Sequence, residues 1–256
     1  MPTTPEPISA DGPELDGSRP LRQQWRDVAF LHWAVDPAAV SPLLPPGVYP
    51  DLFDGRTYLG LVAFRMVDVG FARGPALPAF PETNVRLYSV DYSGRRGVVF
   101  VSLDADQPGL AVAGRMLCGL PYRWTRMQLR RSGSELTYLI HPRGIAAGSR
   151  LVVRAGDAMV GGPLEHFLTA RWGLHVRHLG RTWYLPNTHE RWPLHEAELI
   201  AWDDRLVGSL RLIEPAGRAP DHVAFSPGVR ARFGRPRLSG ARRPVRPPNG
   251  RSPSSA

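Results

Sequence analysis

Residues 122–141 read YRWTRMQLRRSGSELTYLIH. Two runs rich in β-branched and aromatic residues flank the turn pair Ser132-Gly133. The stretch predicts a β-hairpin whose turn lies at residues 131–134. Outward from it the same grammar repeats. Strands are predicted at 57–66 (TYLGLVAFRM), 85–92 (VRLYSVDY), 97–103 (GVVFVSL) and 150–154 (RLVVR), with turn material at Asp54-Gly55 and Ser93-Gly94. Residues 25–33 (WRDVAFLHW) place Arg26 and Asp27 ahead of an apolar strand that ends in His32-Trp33.

Three helices interrupt the strands. Asp36-Pro37 supplies an N-cap and a first-turn proline, and Pro45-Pro46-Gly47 ends that helix, with Pro42 inside it. Gln107-Pro108 opens a second, GLAVAGRMLC, closed by Gly119 and Pro121. Gly162-Pro163 opens a third, LEHFLTARW. Many short strands with a few isolated helices predict a mainly β (α+β) domain, an antiparallel sheet closed into a barrel or sandwich. No internal repeat is present.

All 32 basic residues are arginine; the chain has no lysine. Arginine keeps its proton and is no amine nucleophile, so a lysine Schiff base is excluded. The formal net charge is +9, but eight arginines and no acid in residues 222–256 account for +8, leaving +1 for the other 221 residues. The expected organisation is a disordered tail over 1–18, one domain over 19–237, and a disordered Arg/Pro-rich tail over 238–256. No run of eighteen apolar residues and no signal-peptide pattern is present, so the expected compartment is the cytoplasm. The single cysteine, Cys118, excludes an internal disulfide framework, and the histidine spacings form no metal motif. GxGxxG, Walker A and GxSxG motifs are absent, and no cofactor or metal is expected.

Three segments carry candidate chemistry. In residues 114–125, GRMLCGLPYRWT, a helix stop and a proline put Tyr122 and Arg123 at a strand start, where sites often form; the alternative is that Tyr122 simply packs. In residues 80–86, FPETNVR, period two puts Glu82, Asn84 and Arg86 on one face, as an interior polar cluster or a solvated face. His32 beside Trp33 is either packed or ligand-facing.

Taken together, residues 23–48 (QQWRDVAFLHWAVDPAAVSPLLPPGV), FPETNVRLY, GVVFVSLDA, GRMLCGLPYR, GPLEHFLTARW, HERWPLHEAEL and FSPGV resemble the YqjF-like family of uncharacterised proteins over roughly residues 22–233. That family is related to the acetoacetate decarboxylase-like superfamily. The resemblance implies a closed, mostly antiparallel β-barrel with a few peripheral helices. The decarboxylase signature has the form LD…P…AVGRE…PKK, and this chain has LDADQPGLAVAGRMLCGLPYR. Tyr122 and Arg123 stand at its two lysine positions. By motif order its barrel-entry arginine falls on Arg26 and its active-site glutamate on Glu82.

The expected function is therefore binding of a small carboxylate or carbonyl compound inside a β-barrel, without imine chemistry. Glu82 and Tyr122 are the catalytic candidates, with Arg26, Asn84, Arg86, Arg123 and His32 as ligand-binding candidates. If the protein is an enzyme, its chemistry is acid/base on a small oxo- or carboxylic acid. The alternatives are a non-catalytic scaffold or oligomerisation protein, or weak attachment of the Arg-rich tail to nucleic acid or an anionic surface. The expected partner is a small molecule, with self-association open; neither a membrane nor nucleic acid is expected.

Overall fold

The computed structural model describes residues 4–18, 20–71, 74–143, 148–203, 206–209 and 218–239. Thirteen strands run through them in chain order. They are β1 (Leu21–Val35), β2 (Val48–Pro50), β3 (Thr57–Phe71), β4 (Phe80–Asp91), β5 (Arg96–Ala105), β6 (Tyr122–Ser132) and β7 (Glu135–Pro142), then β8 (Ser149–Ala158), β9 (Gly173–His178), β10 (Arg181–His189), β11 (His195–Asp203), β12 (His222–Phe233) and β13 (Arg237–Leu238). The helices are α1 (Pro37–Val40), α2 (Pro108–Cys118), α3 (Pro163–Thr169) and α4 (Leu206–Ser209). The expected strands are present and run longer than their apolar cores. Arg26 and Asp27 lie within β1 rather than before it.

Local chemistry sets the helix ends. The Asp36 side chain accepts from the Ala38 N–H, and α1 then tightens into a 3₁₀ turn over Ser41–Leu43, where Pro42 has no N–H to give to an α-helix. Gly119, at φ 67°, ends α2 in the left-handed conformation that glycine adopts without strain. Residues 4–18 contain no helix or strand and lie along the body. The Glu6 N–H donates to Gly94 O, the Trp172 indole donates to Ser9 O, and Leu15 is buried. The Arg-rich segment from residue 240 lies outside the described residues.

The sheet order is β13-β10-β9-β5-β6-β7-β8-β11-β12-β1-β3-β4-β2, with further pairings of β10 to β12 and β4 to β5. Those two pairings close it twice. One circuit is β12-β1-β3-β4-β5-β9-β10, and the other is β12-β1-β3-β4-β5-β6-β7-β8-β11. They share the wall β12-β1-β3-β4-β5. Most pairings are antiparallel; β5 runs parallel to both β6 and β9. Closure leaves only the short strands β2 and β13 at the ends of this order, and short edges offer little for pairing with other chains.

Side chains alternate across the shared wall and fill two chambers. Into the larger circuit point Leu31 and Trp33 of β1, Leu61 of β3, and Val85 and Leu87 of β4. They meet Leu136, Tyr138 and Ile140 of β7 and Leu151 and Val153 of β8. Into the smaller circuit point Phe30, Val62, Phe64, Leu103 and Tyr122. A bulge at Asp27, φ 51°, changes which residues of β1 face inward. Trp25 and Val28 consequently share the smaller chamber. Gly228 pairs with Arg26 at this bulge, and a Cβ there would collide with the Trp25 carbonyl.

Candidate functional site

In the larger chamber the side chains just named pack against one another. The smaller one encloses a cavity of about 440 Å³. Every strand of its circuit contributes, and α2 covers one side. β5 and β9 share a single register pair, Val98 with Leu174, and residues of α2 line the cavity. Most of the lining is apolar, including Phe30, Val62, Phe64, Phe100 and Leu103. Phe71 and Leu117 line the cavity and are 68% and 74% exposed, which marks its mouth between α2 and the β3–β4 connection.

Two polar groups of side chains interrupt this apolar wall. At one, the Tyr122 hydroxyl donates to Glu82 Oε2 at 3.3 Å, with both residues buried. Burial pushes the Glu82 carboxyl from an ordinary 4.5 up to about 8, against the opposing effect of the Tyr122 hydrogen bond. Burial and the neighbouring Glu82 push the Tyr122 phenol up as well. At neutral pH this pair is a protonated acid beside a phenol. Gly114 of α2 lies against the Tyr122 ring, so the helix can sit on the tyrosine only where no Cβ intervenes.

At the other group, Arg86 donates to the Tyr88 hydroxyl and, at 2.9 Å, to Leu168 O. It has no ion pair among the described residues. Beside it Arg171 contacts Asp51, which also takes Arg96, and its Nε donates to Phe167 O at 2.7 Å. Burial pushes the Arg171 pKa down while Asp51 supports its charge. Asn84 stands between the two groups on β4. Asn84 Oδ1, Asn187 Oδ1 and Arg171 Nη2 have no hydrogen-bond partner among the described residues. All three residues line this one cavity, while six other such atoms among the described residues lie elsewhere.

Four expected site residues therefore converge: Glu82, Asn84, Arg86 and Tyr122. Three do not reach the cavity. Arg26 is exposed, because the Asp27 bulge leaves it on the face opposite Trp25 and Val28. Arg123 follows Tyr122 in an extended strand and so points the other way. It pairs with buried Asp104, its register partner on β5, at 2.6 Å. His32 is fully buried behind Arg86 and Tyr88, with Nδ1 2.9 Å from His222 Nδ1. Burial, and then His222, push the His32 pKa well down.

Residues not singled out from the sequence complete the wall. Arg171, Asn187, His189, Trp25 and Trp192 all line the cavity. Trp25 and Trp192 stack at 5.8 Å, and burial pushes His189 down to about 4. The available signal for Arg171 was its place just past the end of α3, in the quoted run LEHFLTARW. A helix reaching Trp172 hid it; α3 stops at Thr169.

The sequence profile of the DUF2071 family, described as an uncharacterized conserved protein, matches residues 22–230. The chain is 29% identical over 193 residues to the uncharacterized protein YqjF of Bacillus subtilis (strain 168), covering 72% of this chain and 78% of YqjF. Among solved structures it is similar to an acetoacetate decarboxylase-like enzyme from Sphingomonas wittichii RW1, with a TM-score of 0.61 and 16% identity over 88% of this chain and 94% of that one. It is also similar to the enduracididine biosynthesis enzyme MppR complexed with pyruvate, with a TM-score of 0.60 and 16% identity over 87% and 91% of the two chains. At such identities the likeness concerns the fold, which is the acetoacetate decarboxylase-like one. No helix among the described residues is long and apolar enough to cross a membrane.

Proposed function

We infer that this chain, which belongs to the DUF2071 family, holds a small carboxylate with an apolar body in its hollow chamber. One observation carries the reading: Arg86 lines an apolar cavity, and its hydrogen bonds end on neutral groups. A guanidinium without a carboxylate partner in low dielectric is costly, and an anionic guest offsets that cost. Arg171 adds a second cation whose counter-charge, Asp51, is already shared with Arg96. Glu82 does not cancel this charge at neutral pH, because burial keeps it protonated. The volume lies within the range of about 300–1,000 Å³ usual for small-molecule sites.

The lining sets the rest of the guest. Phe30, Val62, Phe64 and Phe100 offer apolar contact along its length, and Glu82 with Tyr122 offers a carbonyl or hydroxyl partner beyond it. With no lysine in the chain, binding forms no imine.

Hexanoate and hexanol test the reading, since they share an apolar chain and differ in charge. Hexanoate is expected to raise the melting temperature and hexanol to raise it far less. Arg86→Gln is expected to abolish the difference. Equal shifts for the two compounds, or an unchanged response in Arg86→Gln, would overturn the assignment.

A further inference from the structure

We propose that Glu82 and Tyr122 enolise a carbonyl guest, moving a proton at the carbon beside its C=O group. The proposal rests on the binding reading above and adds a reaction to it. Geometry supports it first. A carboxyl and a phenol share a hydrogen bond of 3.3 Å in the wall of an otherwise apolar chamber. A base and a hydrogen-bond donor side by side are the two groups that enolisation requires.

The step balances without any further reactant. The Glu82 carboxylate takes the proton from the carbon next to the carbonyl. The C–H electron pair becomes the new C=C bond, and the C=O π pair moves to oxygen. Tyr122 donates its O–H to that oxygen and stabilises the enolate. Return of the proton from Glu82 to either end of the enolate regenerates ketone or gives enol. Burial keeps Tyr122 protonated and therefore a donor. It also makes Glu82 a far stronger base than a solvated carboxylate once ionised. Proton transfer at carbon needs the Glu82 base and the Tyr122 donor, which stand side by side here.

The same strand indicates the shape of the substrate. Glu82 and Arg86 are four residues apart on one face of β4, so their Cα atoms lie about 13 Å apart at about 3.3 Å per residue. A carboxylate on Arg86 then leaves a carbonyl near Tyr122 several carbons away. The substrate class is an oxo acid with its ketone remote from the carboxylate, not a 2-oxo acid.

The test follows hydrogen–deuterium exchange at the carbons flanking the ketone of 5-oxohexanoate, by proton NMR in D₂O with the full-length protein. Wild type is expected to exchange them well above the buffer rate, and faster as pH rises through about 8, where Glu82 ionises. Glu82→Gln is expected to lose at least about 100-fold, within the usual range for a general base, and Tyr122→Phe at least about 10-fold. Both variants should keep the thermal shift that hexanoate produces, since it lacks the ketone and rests on Arg86; that shift shows an intact chamber. Exchange at the buffer rate in wild type overturns the proposal, and a thermal shift persisting in that case leaves the binding reading standing. Wild-type exchange in Glu82→Gln overturns it equally.

Discussion

The two chambers share one wall and use its two faces differently. On β4, Val85 and Leu87 point into the larger chamber, while Glu82, Asn84 and Arg86 point into the smaller. On β1, Leu31 and Trp33 face the first and Val28 and Phe30 the second. The larger chamber is packed with aliphatic and aromatic side chains. The smaller one keeps about 440 Å³ open and holds ionisable groups out of water. One chamber supplies stability, which lets the other carry a void and a buried acid. Such costs gather at functional sites and are offset elsewhere.

The sharpest way to break this contrast is to make the same deletion on each side. Leu61→Ala removes a fully buried side chain from the filled chamber and is expected to cost about 3–5 kcal/mol, the transfer loss plus a new void. Leu103→Ala removes a leucine that already borders the cavity. It has fewer contacts to lose and is expected to cost about 2 kcal/mol. Urea unfolding midpoints check the order. Equal losses would mean that the hollow chamber is as tightly supported as the filled one.

The next effect separates the chambers by pH. Glu82 has its folded pKa raised to about 8 from 4.5, so the native state holds a proton that the unfolded chain releases. Its stabilising contribution is complete below about 4.5 and is lost as pH rises through about 8. The limiting slope is about 1.4 kcal/mol per pH unit. His189, lowered to about 4 from 6.5, acts oppositely: its contribution is present above 6.5 and is lost as pH falls through about 4. Between pH 6.5 and 8 the Glu82 effect therefore stands clear of His189. Wild type is expected to lose stability across that window relative to Glu82→Gln, by about 1–2 kcal/mol. Parallel pH–stability curves for the two proteins would show that Glu82 is solvated.

Much of the fold was legible because its signals are local. Ser132-Gly133 places a hairpin, and Pro108 with Gly119 brackets α2 almost to the residue. The later strands were harder to read. β9 (GLHVRH) and β10 (RTWYLPNTH) mix His, Arg and Pro into their runs, and β11 (HEAELIAWD) carries three acids. Double closure depends on contacts such as Val98 with Leu174 and His189 with Ala231, which no local pattern announces. In the site, period two placed Glu82, Asn84 and Arg86 together. The same rule separates Tyr122 from Arg123, and applying it there would have removed Arg123 from the site. Arg26 was beyond sequence reading, because its outward position depends on the Asp27 bulge and on Gly228, some two hundred residues away.

A smaller effect sharpens the role of α2 as the cover of the hollow chamber. Gly114→Ala adds helix propensity worth about 0.5–1 kcal/mol. It also drives a methyl into the Tyr122 ring, an overpacking cost of about 1–3 kcal/mol. The net expectation is a loss of about 1 kcal/mol with Tyr122 displaced from Glu82. Loss of the exchange activity beyond the loss of stability would separate this displacement from general loosening. A stabilised Gly114→Ala protein would mean that the helix rides freely above the tyrosine.

The smallest expected effect lies at the mouth. Leu117 is 74% exposed on α2 and borders the cavity. A side chain already in water contributes little to folding, so Leu117→Ser should change stability by less than about 0.5 kcal/mol. Its contact with an apolar guest is another matter. If chains longer than hexanoate reach the mouth, the serine variant weakens octanoate binding while leaving hexanoate unchanged, because only the longer tail extends that far. Isothermal titration of the two acids against both proteins measures this. An equal loss for both acids would place Leu117 inside the chamber, and no loss for either would end the binding site short of α2's outer face. Either result redraws the boundary between cavity and solvent while leaving the contrast between filled and hollow chambers intact.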